Sequence, residues 1–397
     1  MADRPKCDEA TAAHAGKRRV ALALLALACV AVSPLSTLAW PSRPGTGSMA
    51  QPVAVFGIDD RGPLPARYKD LREKIGLLFS VHGRSVCTAF CVAKDVVATA
   101  GHCLHKIAGE RSPRIGDFWF LRNYDVVRDI AHIAGHGNGT AALNVMSGSM
   151  SLNVRPPIEA TRDWALVRLA RPACTKGVLP IRVMPIDRIL KEAEAKRVFQ
   201  LSYHRDYTPW KLAYGQPCTV GKSFEHSEWS AIAQDFSDPE VLILHTCDTG
   251  GASSGSPMLL ETDSGPEVIG INVGTYVQSK VLMQEGKVKK RMKADPVANT
   301  AVASAAFADK LDVFLQATVL SSPGQVRELQ TLLRQRELFA GKVDGIYSAE
   351  LRSAIEAYEK AEGLQVTGLA TLTILKRLGG TGTVPVGRAK GPRKAKS

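Results

Sequence analysis

Thr99-Ala100-Gly101-His102-Cys103 sets a histidine among small residues directly behind the strand-like run Val96-Val97-Ala98-Thr99, and the reading of the chain turns on it. An imidazole serves as a general base only if the chain also supplies a hydroxyl to deprotonate and a carboxylate to fix the ring's tautomer. Both are present downstream. Asp163 opens the strand-like run Arg162-Asp163-Trp164-Ala165-Leu166-Val167-Arg168-Leu169. Ser254 lies in Gly250-Gly251-Ala252-Ser253-Ser254-Gly255-Ser256-Pro257, a glycine-rich turn before an apolar run.

The order His, Asp, Ser is that of the chymotrypsin arrangement, and not of subtilisin or the α/β-hydrolases. Each segment resembles the motif of trypsin-like serine proteases at its catalytic residue, over residues 55–315, and bacterial members with Ser-Gly-Ser-Pro are the nearest in pattern. The resemblance implies that His102 acts as general base and then acid, Asp163 as its orienter and Ser254 as nucleophile. The backbone N–H groups of Ala252 and Ser254 then form the oxyanion hole. Ala252 stands where the family has glycine, and a non-glycine residue at positive φ costs roughly 1–2 kcal/mol. The rivals for these roles are His105, Asp129 and Ser253. Asp129-Ile130-Ala131 imitates the family's acid motif, but His132 interrupts the apolar run that should follow.

The N-terminus reads as an export signal over residues 1–39: Lys17, Arg18 and Arg19 precede the apolar run Val20 to Val32, and Thr37-Leu38-Ala39 offers a cleavage site. Ala26-Leu27-Ala28-Cys29 is a loose lipoprotein-like alternative, and an uncleaved anchor is another. With Cys7 and Cys29 in the leader, Cys87, Cys91, Cys103, Cys174, Cys218 and Cys247 remain, an even set suited to an oxidising compartment. The protease resemblance implies a Cys87–Cys103 bridge beside the histidine. Cys218 and Cys247 bracket a candidate hairpin, where a bridge would brace the nucleophile turn. Cys91 and Cys174 either pair or stand as two thiols. No Cys-x-x-Cys pair accompanies suitably spaced histidines, so no metal is expected, and no phosphate-cradling glycine loop suggests a cofactor.

The expected architecture is an all-β two-barrel chymotrypsin-like domain followed by a small all-α three-helix domain. A lead-in over residues 40–54 precedes the protease body, 55–318, which closes on a helix from Ala301 to Leu315. A linker, 319–324, leads to a helical module, 325–379, and a basic tail, 380–397. In the module, Val326, Leu329, Leu332 and Leu333 give one apolar face, Leu351, Ala354, Ile355 and Tyr358 a second, and Leu372 with Leu375 a third. Leu329-Gln330 and Asp344-Gly345 resemble the pattern of small peptidoglycan-binding domains, while Tyr358-Glu359 replaces the usual Phe-Gln and Thr367 an aspartate.

The net charge of +13 and the acid-free end with Arg388, Lys390, Arg393, Lys394 and Lys396 suit contact with an anionic envelope surface. Nucleic acid is not an expected partner, because no aromatics interleave the basic run. Ser253 stands where zymogen-activated relatives carry an acid, so activation by a newly cut N-terminus is not expected. Asn272, in Val268-Ile269-Gly270-Ile271-Asn272-Val273-Gly274, replaces the histidine of bacterial glutamyl endopeptidases and offers a donor and an acceptor to a substrate side chain. Tyr203-His204-Arg205-Asp206 reads as a self-paired surface loop. The expectation is an exported serine endopeptidase acting on protein or peptide, directed to peptidoglycan. The alternative is a catalytically silent envelope-binding protein on the same scaffold.

Overall fold

The computed structural model describes residues 54–80, 82, 85–107, 113–124, 129–135, 137–207, 211–224, 227–278, 281–284, 287–291 and 295–382. The export signal, its cleavage site and the basic residues beyond 382 lie outside the described residues. Among the described residues, no helix is long and apolar enough to cross a membrane.

Two antiparallel seven-stranded sheets carry the body. The first runs Asp129–His132, Phe118–Arg122, Ile75–Ser80, Ser85–Ala93, Val96–Thr99, Ala165–Arg168 and Val145–Ser147. It curls so that its first strand reaches its next-to-last: Ile133 bridges Leu169, Ala134 N–H donates to Arg168 O at 2.8 Å, and Ala170 N–H donates to His132 O at 2.9 Å. The second runs Gly62–Pro63, Leu212–Gly215, Val198–Tyr203, Pro257–Leu260, Glu267–Gln278, Asp295–Ala303 and Leu242–His245. Its closure comes from the chain beyond Gly215, where Val220 bridges His245 and Gly221 N–H donates to Leu244 O at 3.1 Å. The curling leaves only short edge strands, Val145–Ser147 and Gly62–Pro63, among the described residues.

Side-chain alternation explains why each strand serves two cores. Ala89, Cys91, Val97, Ala165 and Val167 point into the first barrel with Leu78, Phe118 and Phe120. Their neighbours Phe90, Val96, Ala98 and Leu166 point the other way, against Phe199, Leu201, Leu259 and Ile271 of the second sheet. The site lies along this seam.

Three disulfides join Cys87 to Cys103, Cys91 to Cys174 and Cys218 to Cys247. The open choice for Cys91 and Cys174 is thereby settled as a bridge. It spans a sequence separation of 83, at which loop-closure entropy contributes about 4.5 kcal/mol.

The expected helix from Ala301 begins later. Asn299–Ala303 are committed to the strand Asp295–Ala303, which pairs on both sides, and the helix occupies Ala308–Gln316. Residues 319–324 do not hang free either. Val319 bridges Thr371, Leu320 is fully buried, and Ser322 with Pro323 already caps and opens the first helix of the module. The helices Pro323–Gln335, Ala349–Ala361 and Leu372–Arg377 start at Ser322, Ser348 and Thr371, whose hydroxyls accept the N–H groups of Gln325, Leu351 and Ile374.

Two sequence features of the module acquire a reason. Gln330 holds the Asp344-Gly345 turn, accepting Gly345 N–H at 2.9 Å and donating to Asp344 Oδ1 at 3.1 Å. Gly345 has φ +81°, and a Cβ there would lie 2.6 Å from Pro323 O. The replacements at Glu359 and Thr367 work together, because Glu359 accepts the Thr367 hydroxyl at 2.5 Å and both the Thr367 and Gly368 N–H groups.

Three histidines are buried in the fold. Burial, reinforced by the Arg352 charge, holds His105 at about 4; burial and Arg61 hold His204 at about 3; burial holds His245 at about 4. The unfolded chain binds protons below the ordinary histidine value of about 6.5, whereas the native chain does not until these lower values are reached. Stability therefore falls as pH drops through the window from about 6.5 to 4 and is indifferent to these groups above it. Thermal melts at pH 7 and pH 4.5 are expected to show a lower midpoint at the acid pH; equal midpoints would contradict this burial.

Candidate active site

Strand pairing brings His102 and Asp163 together. Ala165 lies opposite Thr99 in the register of Val96–Thr99 with Ala165–Arg168. The residues just outside the pair, His102 after one strand and Asp163 before the other, are therefore neighbours. His102 sits in the 3-10 turn Gly101–Cys103, closed by Leu104 N–H and His105 N–H on Gly101 O and tied to the strand Ser85–Ala93 by the Cys87–Cys103 bridge. Gly101 makes room for the acid: a Cβ there would stand 3.2 Å from Asp163 Oδ1 and from Trp164 O.

Asp163 grips the histidine twice. Its Oδ1 accepts the His102 backbone N–H at 2.8 Å, and its Oδ2 meets His102 Nδ1 at 2.6 Å. A carboxylate only accepts, so Nδ1 carries the hydrogen and the basic lone pair of the neutral ring resides on Nε2.

The turn that carries Ser254 belongs to the second barrel but is pinned to the first. Thr88 N–H donates to Ser254 O at 2.8 Å, and Thr88 Oγ1 donates to Ala252 O at 2.8 Å. Gly255 N–H donates to Asn272 O at 2.7 Å. Gly255 has φ +82°, and a Cβ there would fall 2.1 Å from Thr99 Oγ1 and 2.2 Å from Thr88 O. Only glycine fits. Gly255→Ala is expected to cost about 2–4 kcal/mol, combining left-handed strain with overpacking, which a urea-denaturation midpoint would measure.

Ala252 adopts φ +85°, the conformation anticipated for glycine, and its methyl is buried. The strain of roughly 1–2 kcal/mol is partly offset by about 0.8 kcal/mol from that methyl. Among the described residues, neither Ala252 N–H nor Ser254 N–H donates to a protein acceptor. His102, Asp163, Ser254 and Ser253 share one cavity of about 310 Å³. Its wall is largely apolar, with Leu152, Val154, Ile158, Phe236 and Tyr276.

The rival residues lie elsewhere or do other work. Asp129 pairs with Arg122 at 2.9 Å and with Arg171. His105 meets Ser147 Oγ at 3.0 Å. Ser253 receives Asn272 Nδ2 on its carbonyl at 3.1 Å and on its hydroxyl at 3.4 Å. Asn272 in turn has its Oδ1 against His245 Nε2 at 3.1 Å. Asn272, expected to meet substrate, lines the same cavity, and its carboxamide also braces the turn at Ser253. The Tyr203-His204-Arg205-Asp206 segment is only partly a surface loop: Tyr203 and His204 are buried, and Asp206 pairs with Arg61 at 2.9 Å. Both cysteine–histidine groupings, around His102 and His245, are built on disulfide sulfurs, which offer no thiolate to a metal.

Thr88 and His245 had no local signature. Thr88 reaches the Ser254 turn across more than 160 positions, and His245 meets it through Asn272.

Residues 87–271 match the family described as "Trypsin-like peptidase domain", and residues 322–378 match "Putative peptidoglycan binding domain". The chain carries a trypsin-like peptidase domain and a peptidoglycan-binding-type domain. No curated protein matches it. Among solved structures, a Glu endopeptidase in complex with MPD is 18% identical and covers 66% of this chain and 98% of its own, with a TM-score of 0.41. A thermostable serine protease, AL20, from an extremophilic microorganism is 17% identical over 62% of this chain and 99% of its own, at 0.40. The protease Anisep from Arthrobacter nicotinovorans is 14% identical over 58% and 90%, at 0.38. The peptidoglycan-binding-type domain and the three disulfides suit an envelope or exported protein.

Proposed function

We propose that the protein is an exported serine endopeptidase whose peptidase domain cleaves peptide bonds through an acyl-enzyme, held at the cell wall by its C-terminal domain. The observation that carries this reading is the Asp163–His102 pair, whose carboxylate leaves Nε2 as the ring's base, in one cavity with Ser254. In the first step Ser254 Oγ attacks the scissile carbonyl carbon and its proton passes to His102 Nε2. Asp163 stabilises the imidazolium. The carbonyl π pair moves to oxygen, where the N–H groups of Ala252 and Ser254, which have no protein acceptor among the described residues, receive it. Collapse of this intermediate breaks the C–N bond as His102 delivers its proton to the leaving amine. Water, deprotonated by the same histidine, then hydrolyses the ester.

The apolar wall favours uncharged side chains in the cavity, and among the described residues no lysine or arginine lines it to receive a glutamate. The peptidoglycan-binding-type match supports retention on the wall, with protein as the substrate.

A fluorophosphonate probe is expected to label the wild-type protein, to fail on Ser254→Ala and to react weakly with His102→Ala. Folded wild-type protein that takes no label would leave a binding protein on a protease scaffold. Casein is expected to be cut and purified sacculi to retain the protein in a sedimentation assay. Release of muropeptides without caseinolysis would redirect the activity to peptidoglycan itself.

A further inference from the structure

The second helix of the C-terminal domain, Ala349–Ala361, places an arginine behind the catalytic pair. We propose that Arg352 is a positioning residue for the peptidase, lent by the C-terminal domain; this rests on the serine-protease reading above. Arg352 Nη1 donates to Ser147 Oγ at 3.3 Å and Nη2 to Gly148 O at 3.4 Å, while Nε is held by Glu356 Oε1 at 2.7 Å. These two recipients back both halves of the His102–Asp163 pair.

Ser147 leads to the histidine. Its hydroxyl donates to Ser149 O at 3.1 Å, which leaves its lone pairs for Arg352 and for His105 Nε2–H at 3.0 Å. His105 in turn closes the 3-10 turn of His102 through its backbone N–H on Gly101 O at 2.9 Å. Gly148 leads to the acid. Its N–H donates to Trp164 O at 3.1 Å, and it packs so closely that a Cβ would fall 2.3 Å from Arg162 O and 2.7 Å from Trp164 Nε1. Arg162 and Trp164 flank Asp163.

The contact is built into the fold. Leu143 of the peptidase body is buried in the same apolar cluster as Val326, Leu329 and Leu351 of the C-terminal domain, and Leu369 joins the core that contains Trp164. The C-terminal domain is thus a third packed body of the enzyme. Removing Arg352 frees the strand Val145–Ser147 and Gly148 to shift, which alters the approach of Asp163 to His102 more than it alters the substrate cavity.

The test uses the full chain and a soluble chromogenic peptide, so that wall binding plays no part. Arg352→Leu is expected to lower kcat roughly 10- to 100-fold with KM within about twofold, and Arg352→Lys to recover part of the loss. Arg377→Ala, an exposed cation on the third helix, serves as the control and keeps wild-type kcat. Should Arg352→Leu fail to fold, Ser147→Ala removes the hydroxyl between Arg352 and His105 and is expected to lower kcat in the same way. Wild-type kcat in folded Arg352→Leu, or in Ser147→Ala when Arg352→Leu does not fold, overturns the proposal while leaving the protease reading intact. A wild-type protein that neither takes a fluorophosphonate nor turns over peptide overturns both.

Discussion

Replacing Ser254 with alanine is expected to lower kcat by roughly 10⁶-fold while leaving the melting temperature nearly unchanged. The size follows from the step removed. Without Oγ there is no acyl-enzyme, and what survives is a residual acceleration of roughly 10³–10⁴ over water from the oxyanion donors and substrate binding. The preserved fold follows from how the turn is held. Its anchors are backbone groups and Thr88, which holds Ser254 O and Ala252 O, and Gly255 N–H on Asn272 O; none uses the Ser254 hydroxyl. Hydrolysis of a chromogenic peptide by wild type and variant, with thermal melts alongside, measures both quantities. A variant keeping more than about a hundredth of the wild-type rate would move the nucleophile to Ser253, whose hydroxyl lies 3.4 Å from Asn272 Nδ2.

What the sequence makes legible here is whatever resides in a short contiguous segment. His102, Asp163 and Ser254 each sit in a motif of five to eight residues, so residue type and neighbours suffice to assign them candidate roles. The positive φ of Ala252 could be anticipated because the trypsin-like proteases that the segment resembles carry glycine at that position. The helix after Ala301 could not be placed, since Ala301-Val302-Ala303 suits helix and strand alike and only pairing with Leu242–His245 and Glu267–Gln278 decides. Asn272 illustrates a deeper limit. A carboxamide can serve substrate or protein equally, and its commitment to Ser253 rests on His245, which lies 27 positions away and whose own role is set by burial. The same holds for Arg352, which in sequence is one more charge on an amphipathic helix. Its partners Ser147 and Gly148 lie more than 200 positions upstream and come within reach only when the C-terminal domain packs on the first barrel.

Asp163→Asn is expected to lower kcat by roughly 10⁴-fold, the scale on which an imidazole held in the wrong tautomer costs a serine protease. The carboxamide is nearly isosteric and its oxygen can still accept the His102 backbone N–H, now 2.8 Å from Asp163 Oδ1. Its NH₂ must then face His102 Nδ1 where Oδ2 stands at 2.6 Å, and two donors cannot share one bond. The ring responds by placing its hydrogen on Nε2, which turns the would-be base into a donor towards the serine and leaves the imidazolium without its counter-charge. Nitrogen-15 NMR of His102 is expected to report an Nδ1–H ring in wild type and an Nε2–H ring in the variant, with KM little changed. Asp129→Asn is the matched control: its carboxylate pairs with Arg122 and Arg171, so the loss falls on stability and leaves kcat at the wild-type value. If Asp163→Asn kept its rate and Asp129→Asn lost it, the acid of the pair would have to be reassigned, and with it the strand register that brings Asp163 to His102.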